Sequence, residues 1–198
     1  MRLLGTRSHT RTYDDLVAAY AQPHRHYHTA AHIEACLGEL DAAEGLAQVA
    51  YEVEVALWFH DAVYVPGSSD NERLSAEWAV RFLVDAGIPE SSRDTVHEHI
   101  MATCHDAEPA ASDSALVVDI DLSIFGQAPA AYSKFERDVR EEYRFVPLPV
   151  YARTRRGILT SFLERPAIYR LPHFRARYES VARRNLETAI RVLRHSSP

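Results

Sequence analysis

Two residues that bind metals well, His60 and Asp61, stand next to each other at the end of the apolar run 55–59 (VALWF). An imidazole and a carboxylate are costly to desolvate in such surroundings, and a metal cation is a partner that can compensate both at once. A further histidine, His32, lies upstream, and the acidic tripeptide Asp119-Ile120-Asp121 lies downstream. Histidine and His-Asp pairs also occur by chance, but the order His, His-Asp, Asp together with the apolar lead-in predicts a metal site.

The expected chemistry follows from the ligand types. Mixed imidazole and carboxylate ligands suit divalent Mn, Fe, Co, Ni or Zn, and Mg is a further option. If the ion keeps open coordination positions, its bound water becomes a nucleophile near neutral pH. The pattern therefore favours metal-dependent hydrolysis.

The elements that would carry these residues are helices. Apolar residues recur at a spacing near 3.6, whereas convincing alternation is scarce, although Val117-Val118 alone could pass for a short strand. Thr29 and Asp70 are expected to cap helices, and Pro129 is well placed to start one. A loop is expected over 64–69 and another over 106–112. The helices are expected near residues 16–20, 30–40, 46–62, 71–86, 90–100, 113–125, 130–143, 158–162 and 173–194. Such a bundle can aim side chains from several helices at one point in its core.

The length and composition fit one all-α domain over residues 1–198. The chain has 198 residues, of which 46% are hydrophobic and 25% charged, the ordinary balance of a globular protein. No apolar stretch approaches the ~20 residues of a membrane span, and the polar-flanked start is too short for a signal peptide, so a cytoplasmic protein without membrane contact is expected. The two cysteines, Cys36 and Cys104, are expected to be reduced thiols.

Charge is distributed unevenly along the chain. Residues 1–152 hold 11 basic and 25 acidic residues, whereas residues 153–198 hold 11 arginines and 3 glutamates. Most of these arginines are expected to pair with the acidic body, and a few could line a phosphate pocket. The net charge of −6 argues against general nucleic-acid binding.

Several segments resemble the HD superfamily of metal-dependent phosphohydrolases, and in particular a bacterial branch of predicted hydrolases. The likeness extends over nearly the whole chain. It is carried by residues 27–33 (YHTAAHI), 58–64 (WFHDAVY), Asn71-Glu72 with Ser75-Ala76, 103–105 (TCH), 119–122 (DIDL), 140–143 (REEY) and 179–186.

The resemblance implies a helical fold of the HD-domain type and four metal ligands: His32, His60, Asp61 and Asp121. Asp119 and Asp121 would point about 200° apart on a helix, so only one can face the ion. The family pattern favours Asp121, which leaves Asp119 to cap a helix, pair with an arginine or support a ligand. The implied reaction is hydrolysis of a small phosphate ester, such as a nucleotide or related metabolite, by a metal-activated water.

Further residues are expected around the ion. Glu72 is the candidate general acid or base, although an acid in the first turn of a helix is also common. Substrate contacts are expected from residues that match the family or lie near the ligands, namely His28, Asn71, His105, Arg140 and Arg155. Each arginine could equally bridge to an acidic residue of the bundle.

Two other functions stay open at this point. A dinuclear-iron oxygenase of HD type would need extra histidines, which His28 and His105 could supply. A metal- or nucleotide-binding regulatory module without catalysis is the other alternative, and the intact ligand set argues against it. The chain could also form a homo-oligomer.

Overall fold

The computed structural model of the protein describes residues 10–105 and 112–195. Helical residues make up 74% of these residues, and the described ranges contain no strand. The described residues form nine α-helices: Thr10–Tyr20 (α1), Ala30–Ala42 (α2), Ala50–Phe59 (α3), Asn71–Asp85 (α4), Glu90–Met101 (α5), Ser112–Asp121 (α6), Pro129–Glu142 (α7), Leu148–Glu164 (α8) and Pro172–His195 (α9). Two short 3-10 helices cover Ala102–Cys104 and Leu122–Gly126. The predicted all-α fold is confirmed, and Val117-Val118 belongs to α6 rather than to a strand.

The chain divides into two compact units, Met1–Asp121 and Leu122–Pro198. The N-terminal unit contains α1 to α6, and the C-terminal unit contains α7 to α9. Each unit buries its own apolar side chains, for example Leu57 and Leu116 in the first and Leu159 and Phe174 in the second. The single domain expected from the length stays a prediction.

Helix α3 is the central helix of the N-terminal unit. It contacts α2, α4, α5 and α6, and its residues Val53, Ala56, Leu57 and Phe59 are fully buried. The apolar run 55–59, which is hydrophobic on every side of the helix, therefore lies at the centre of the N-terminal unit, as predicted. This position places the end of the run, where His60 and Asp61 follow, inside the unit.

Helix α3 is shorter than the predicted helix over 46–62, and a carboxylate distant in the sequence explains where it begins. Asp113 of α6 accepts hydrogen bonds from the backbone N–H groups of Gln48 and Val49 at 2.9–3.1 Å. These bonds satisfy amides that would otherwise need a helical partner, and they hold Val49 outside the helical region at φ −129°. The same contact fixes α6 against the start of α3.

The C-terminal unit is organised by α9, which contacts α7, α8 and the 3-10 helix Leu122–Gly126. At Gly126 an added Cβ would overlap the side chain of Tyr178, so only glycine fits there. The amide of Asn185 on α9 donates to the carbonyls of Phe125 and Gln127 at 2.8 Å each. The 3-10 helix therefore lies directly against α9.

The other predicted boundaries agree in part, because α1 and α8 are longer than predicted and α6 ends at Asp121, where a 3-10 helix follows. Helix α4 follows Asp70, α7 begins at Pro129, and the predicted loop over 64–69 is present. Thr29 and Asp70 occupy the capping positions without a capping hydrogen bond from their side chains. The loop expected over 106–112 lies outside the described residues except for Ser112, which begins α6. No helix in the described part of the chain combines the length and the hydropathy required to cross a bilayer.

Candidate metal centre

Three mutually contacting helices of the N-terminal unit position the four predicted ligands. His32 lies in the first turn of α2, His60 and Asp61 follow the last residue of α3, and Asp121 is the last residue of α6. His32 and Asp121 are therefore carried on helices, and His60 and Asp61 on the turn directly after α3. The packing of α2, α3 and α6 brings them to one place.

The ligand atoms of this cluster lie at short, nearly uniform distances. The Nε2 atoms of His32 and His60 are 3.2 Å apart. Asp61 Oδ2 lies 3.1 Å from the His60 nitrogen and 3.5 Å from the His32 nitrogen. Asp121 Oδ1 lies 3.2 Å from the His32 nitrogen and 3.6 Å from the His60 nitrogen.

These separations fit the coordination shell of one ion. Ligands about 2.0–2.2 Å from an ion lie about 2.8–3.6 Å from each other in octahedral or tetrahedral geometry. The five measured distances, from 3.1 to 3.6 Å, fall within that range. Two imidazoles and two carboxylates are also a donor set that divalent metals accept. The residues present therefore fit a metal ion.

The hydrogen bonding and burial of the histidines orient the site. The Nδ1–H of His60 donates to the carbonyl oxygen of Leu57 at 2.9 Å, which turns its Nε2 lone pair toward the cluster. The side chains of His60 and His32 are 2% and 3% exposed, whereas those of Asp61 and Asp121 are 17% and 18% exposed. The imidazoles thus form the closed side of the cluster and the carboxylates form its accessible side.

The electrostatics of the cluster call for a cation. Burial opposes a charge on His60, but Asp61 and Asp121 outweigh that effect and raise the pKa of this imidazole well above its ordinary value. Burial likewise opposes the charge on Asp121, yet hydrogen bonds from His105, His32 and His60 lower the pKa of its carboxyl well below the usual range. In the metal-free protein, a proton on His60 therefore compensates part of the negative charge of the carboxylates, and a metal ion would replace it.

A fifth donor, Cys36, was not predicted as part of the site. It lies one turn after His32 on α2, it is buried, and its Sγ is 3.8 Å from both ring nitrogens of His32. His32, Cys36, His60 and Asp121 each offer a ligand atom within 4.8 Å of the others. The i, i+4 spacing of His32 and Cys36 is a signal in the sequence that could have found it. Asp61 does not belong to that mutually close group, but its Oδ2 lies 3.1 and 3.5 Å from the His60 and His32 nitrogens, so its role as a ligand stays a prediction.

The buried Arg25 was also not predicted, and it holds the backbone around the cluster. Its guanidinium donates to the carbonyl oxygens of His28 at 3.0 Å, Asp61 at 2.7 Å and Ala62 at 3.0 Å. The side chain lies over the rings of Tyr20 and Tyr64 and is 5% exposed as a residue. Arg25 therefore links the segment before α2 to the turn after α3. No motif in the sequence signals this role.

His105, one of the predicted substrate contacts, lies beside the ligand Asp121. Its Nε2 is 3.2 Å from Asp121 Oδ2. The other oxygen of this carboxylate, Oδ1, is the one that lies near His32 and His60. His105 has a left-handed backbone with φ 59°, the one non-glycine residue with positive φ in the described part of the chain. Such a conformation is uncommon for histidine and often accompanies functional sites.

His28 lies in the loop before α2, because that helix begins only at Ala30. His28 therefore does not share a helical face with His32. The two rings nevertheless approach each other, with centroids 6.1 Å apart, and His28 stacks on Tyr64 at 4.2 Å. Burial opposes the charge on Asp61, but electrostatic interactions with His60 first and His28 second lower the pKa of its carboxyl. His28 thus lies near the ligands, and its contact with a substrate stays a prediction.

The first turn of α4 has a clear structural contribution from Asn71. The amide of Asn71 accepts from the backbone N–H of Val65 at 2.9 Å and donates to the carbonyl of the same residue at 3.1 Å, which closes the loop over 64–69. Glu72 is half-buried in that turn. The roles of Asn71 in substrate binding and of Glu72 in proton transfer stay predictions.

The two predicted phosphate-binding arginines lie in the C-terminal unit. Arg155 forms a two-point ion pair with Glu136 at 2.8 and 3.1 Å. Arg140 donates to the carbonyls of Tyr143 at 2.6 Å and Val146 at 3.1 Å, just beyond the end of α7. Both therefore have structural contacts, and their contact with a substrate stays a prediction.

Of the two late aspartates, the structure brings Asp121 into the cluster. Asp119 is fully buried, at 0% exposure, two residues earlier on α6. The rotation of about 200° between the two positions separates their directions, as expected.

No protein-family model, curated protein or solved structure matches this chain.

Proposed function

We propose that this protein is a metal-dependent hydrolase of the HD type that acts on small phosphate esters. The observation that supports this most is the convergence of His32, His60, Asp61 and Asp121 on one point from three helices. The order of these residues along an all-α chain matches the HD pattern. Nucleotides and related phosphorylated metabolites are the substrate class that the resemblance suggests.

The four ligands, together with the thiol of Cys36 beside His32, would hold one divalent ion between them. When bound, such an ion polarises a phosphoryl oxygen and lowers the pKa of a coordinated water. The two buried imidazoles hold their side of the site closed. Because Asp61 and Asp121 are partly exposed, a phosphate group would approach from their side of the cluster.

Residues beside the ligands would bind the substrate and move protons. His105 is placed by its contact with Asp121 to donate a hydrogen bond to a phosphate oxygen or to hold that carboxylate in position. Glu72 is proposed as the group that exchanges a proton with the water or with the leaving oxygen. His28, Asn71, Arg140 and Arg155 are proposed substrate contacts on the strength of the resemblance.

The thiol of Cys36 bears on the choice of metal. Thiolate ligands favour Zn, Fe or Co over Mg and Mn, so a sulfur this close to His32 favours a softer ion. Loading the protein with Co²⁺ tests this, because a Co–thiolate bond produces an intense near-ultraviolet charge-transfer band. We expect the band in the wild type and its loss in Cys36→Ser, with Cys104→Ser as the matched control. A band that persists in Cys36→Ser would exclude Cys36 from the coordination shell.

The proposed function is tested by metal analysis and a phosphatase screen on the same preparations. We expect about one divalent ion per chain and hydrolysis of at least one phosphate monoester. His60→Ala should abolish both, whereas His173→Ala, which changes an exposed histidine of the C-terminal unit, should keep both. Two irons per chain with consumption of dioxygen would instead support the dinuclear oxygenase. Bound metal without any hydrolysis would support a regulatory module.

A further inference from the structure

The C-terminal unit contains a cavity of about 880 Å³ lined by residues of α7, α8 and α9. A cavity of this volume is within the range of small-molecule sites. Much of its wall is apolar, and the apolar side chains are those of Leu148, Val181, Ala189, Val192 and Leu193. The carbon skeleton of a ligand could therefore be buried there.

One polar group on this wall lacks a partner. Tyr151 lines the cavity and is 7% exposed, and its hydroxyl is buried without a hydrogen-bond partner among the described residues. A buried polar group left unsatisfied costs about 1–3 kcal/mol, so a partner from a ligand is expected. Burial raises the pKa of Tyr151 to about 12, and the hydroxyl therefore stays protonated and can donate at neutral pH.

The charged residues of the cavity favour an anion. Three arginines line it (Arg137, Arg140 and Arg184), together with two glutamates (Glu136 and Glu141). Glu136 is already neutralised by its ion pair with Arg155 and accepts a hydrogen bond from Tyr132. The guanidinium of Arg140 lies over the Tyr151 ring, 4.7 Å from its centroid, so the positive charge lies beside the residue that carries the unpartnered hydroxyl, and both residues line the cavity.

We propose that this cavity binds a small amphiphilic anion, whose charged head meets Tyr151 and Arg140 and whose apolar body lies against α9. The shared chemistry is that of an acyl carboxylate or an alkyl phosphate. This site goes beyond the proposed hydrolytic function, and the residues that line it belong to the C-terminal unit. Arg140 is the one residue that both proposals invoke, so Tyr151, which only this site uses, is the residue that tests it independently.

Calorimetric titration of the full-length protein with three probes of equal chain length tests the proposal. The probes are octanoate, octyl phosphate and octyltrimethylammonium, all below their micellar concentrations. We expect saturable binding of at least one of the two anions, with the difference between them identifying the preferred head group, and no binding of the cation. Equal binding of the cation, or no binding of either anion, would overturn the proposal.

Two matched tyrosine variants locate the site. Tyr151→Phe removes the unpartnered hydroxyl, and a hydrogen bond to a charged group contributes enough that we expect about 10-fold or more weaker anion binding. Its thermal stability without ligand should not fall, since no hydrogen bond of the protein is lost. Tyr132→Phe should show the opposite pattern, with lower stability and nearly unchanged binding, because that hydroxyl is already bonded to Glu136. Anion binding by Tyr151→Phe at wild-type strength would refute the assignment.

Discussion

Replacing Arg25 by methionine tests whether this buried arginine holds the metal centre together. Methionine keeps much of the apolar stem but removes the guanidinium that donates to the carbonyls of His28, Asp61 and Ala62. The bond from its Nε to Gln22 Oε1 is lost as well. Three backbone acceptors, partly or fully buried, then lose a charged donor in a residue that is 5% exposed.

The magnitude follows from these three bonds. Each hydrogen bond contributes about 1–1.5 kcal/mol, which gives a loss of about 3–5 kcal/mol in the free energy of unfolding. For a chain of this length, each kcal/mol corresponds to about 2–4 °C, so the Tm should fall by about 6–20 °C. Because Asp61 is itself a ligand residue, we also expect metal affinity to fall by about 10–100-fold, as for other groups that orient metal ligands.

The assay combines urea unfolding of the chelator-treated protein, followed by circular dichroism, with a competition titration for metal. The matched control is Arg73→Met. Arg73 pairs with Asp70 and Glu77 on the surface with a side chain that is 47% exposed, so its loss should change the stability little. If Arg25→Met has the stability and metal affinity of Arg73→Met, the structural role assigned to Arg25 is refuted.

Three further results are expected. Asp121→Asn should lose bound metal. Asp119→Asn, at a fully buried position outside the cluster, should keep metal and lose stability. Metal loss in the Asp119 variant alone would reverse the ligand assignment. Glu72→Gln should keep metal and substrate binding but lose about 10²–10⁴-fold in turnover on a substrate from the screen, and unchanged turnover would reduce Glu72 to an acid at a helix start. The metal-free protein should lose stability as pH rises above 6.5 through the raised pKa of His60, because the protonated imidazole is stabilised only in the folded state. It should also lose stability as pH falls below 3.8 through the lowered pKa of Asp121, so urea unfolding in chelator across pH should show a maximum between these values.

The sequence by itself determined the helical class and most helix positions. Apolar periodicity and the residues that begin or end helices, such as Pro129 at α7 and Gly87 just after α4, act within a few positions along the chain. For the same reason the apolar run before His60 predicted a central helix, and a ligand at its end predicted a buried metal site. These features depend on residues that are close to one another along the chain, so the sequence alone is enough to predict them.

Only the tertiary structure decided the features that depend on distant partners. The start of α3 depends on Asp113, which lies 64 and 65 residues away from the two amides that it accepts. The contacts of Arg25 with Asp61 and Ala62 span 36 and 37 residues. The choice of Asp121 over Asp119, and the approach of Cys36 to the ligands, follow from how α2, α3 and α6 pack. Helix periodicity says which residues share a face, but the direction of that face in space is set by the burial of apolar side chains from the whole unit.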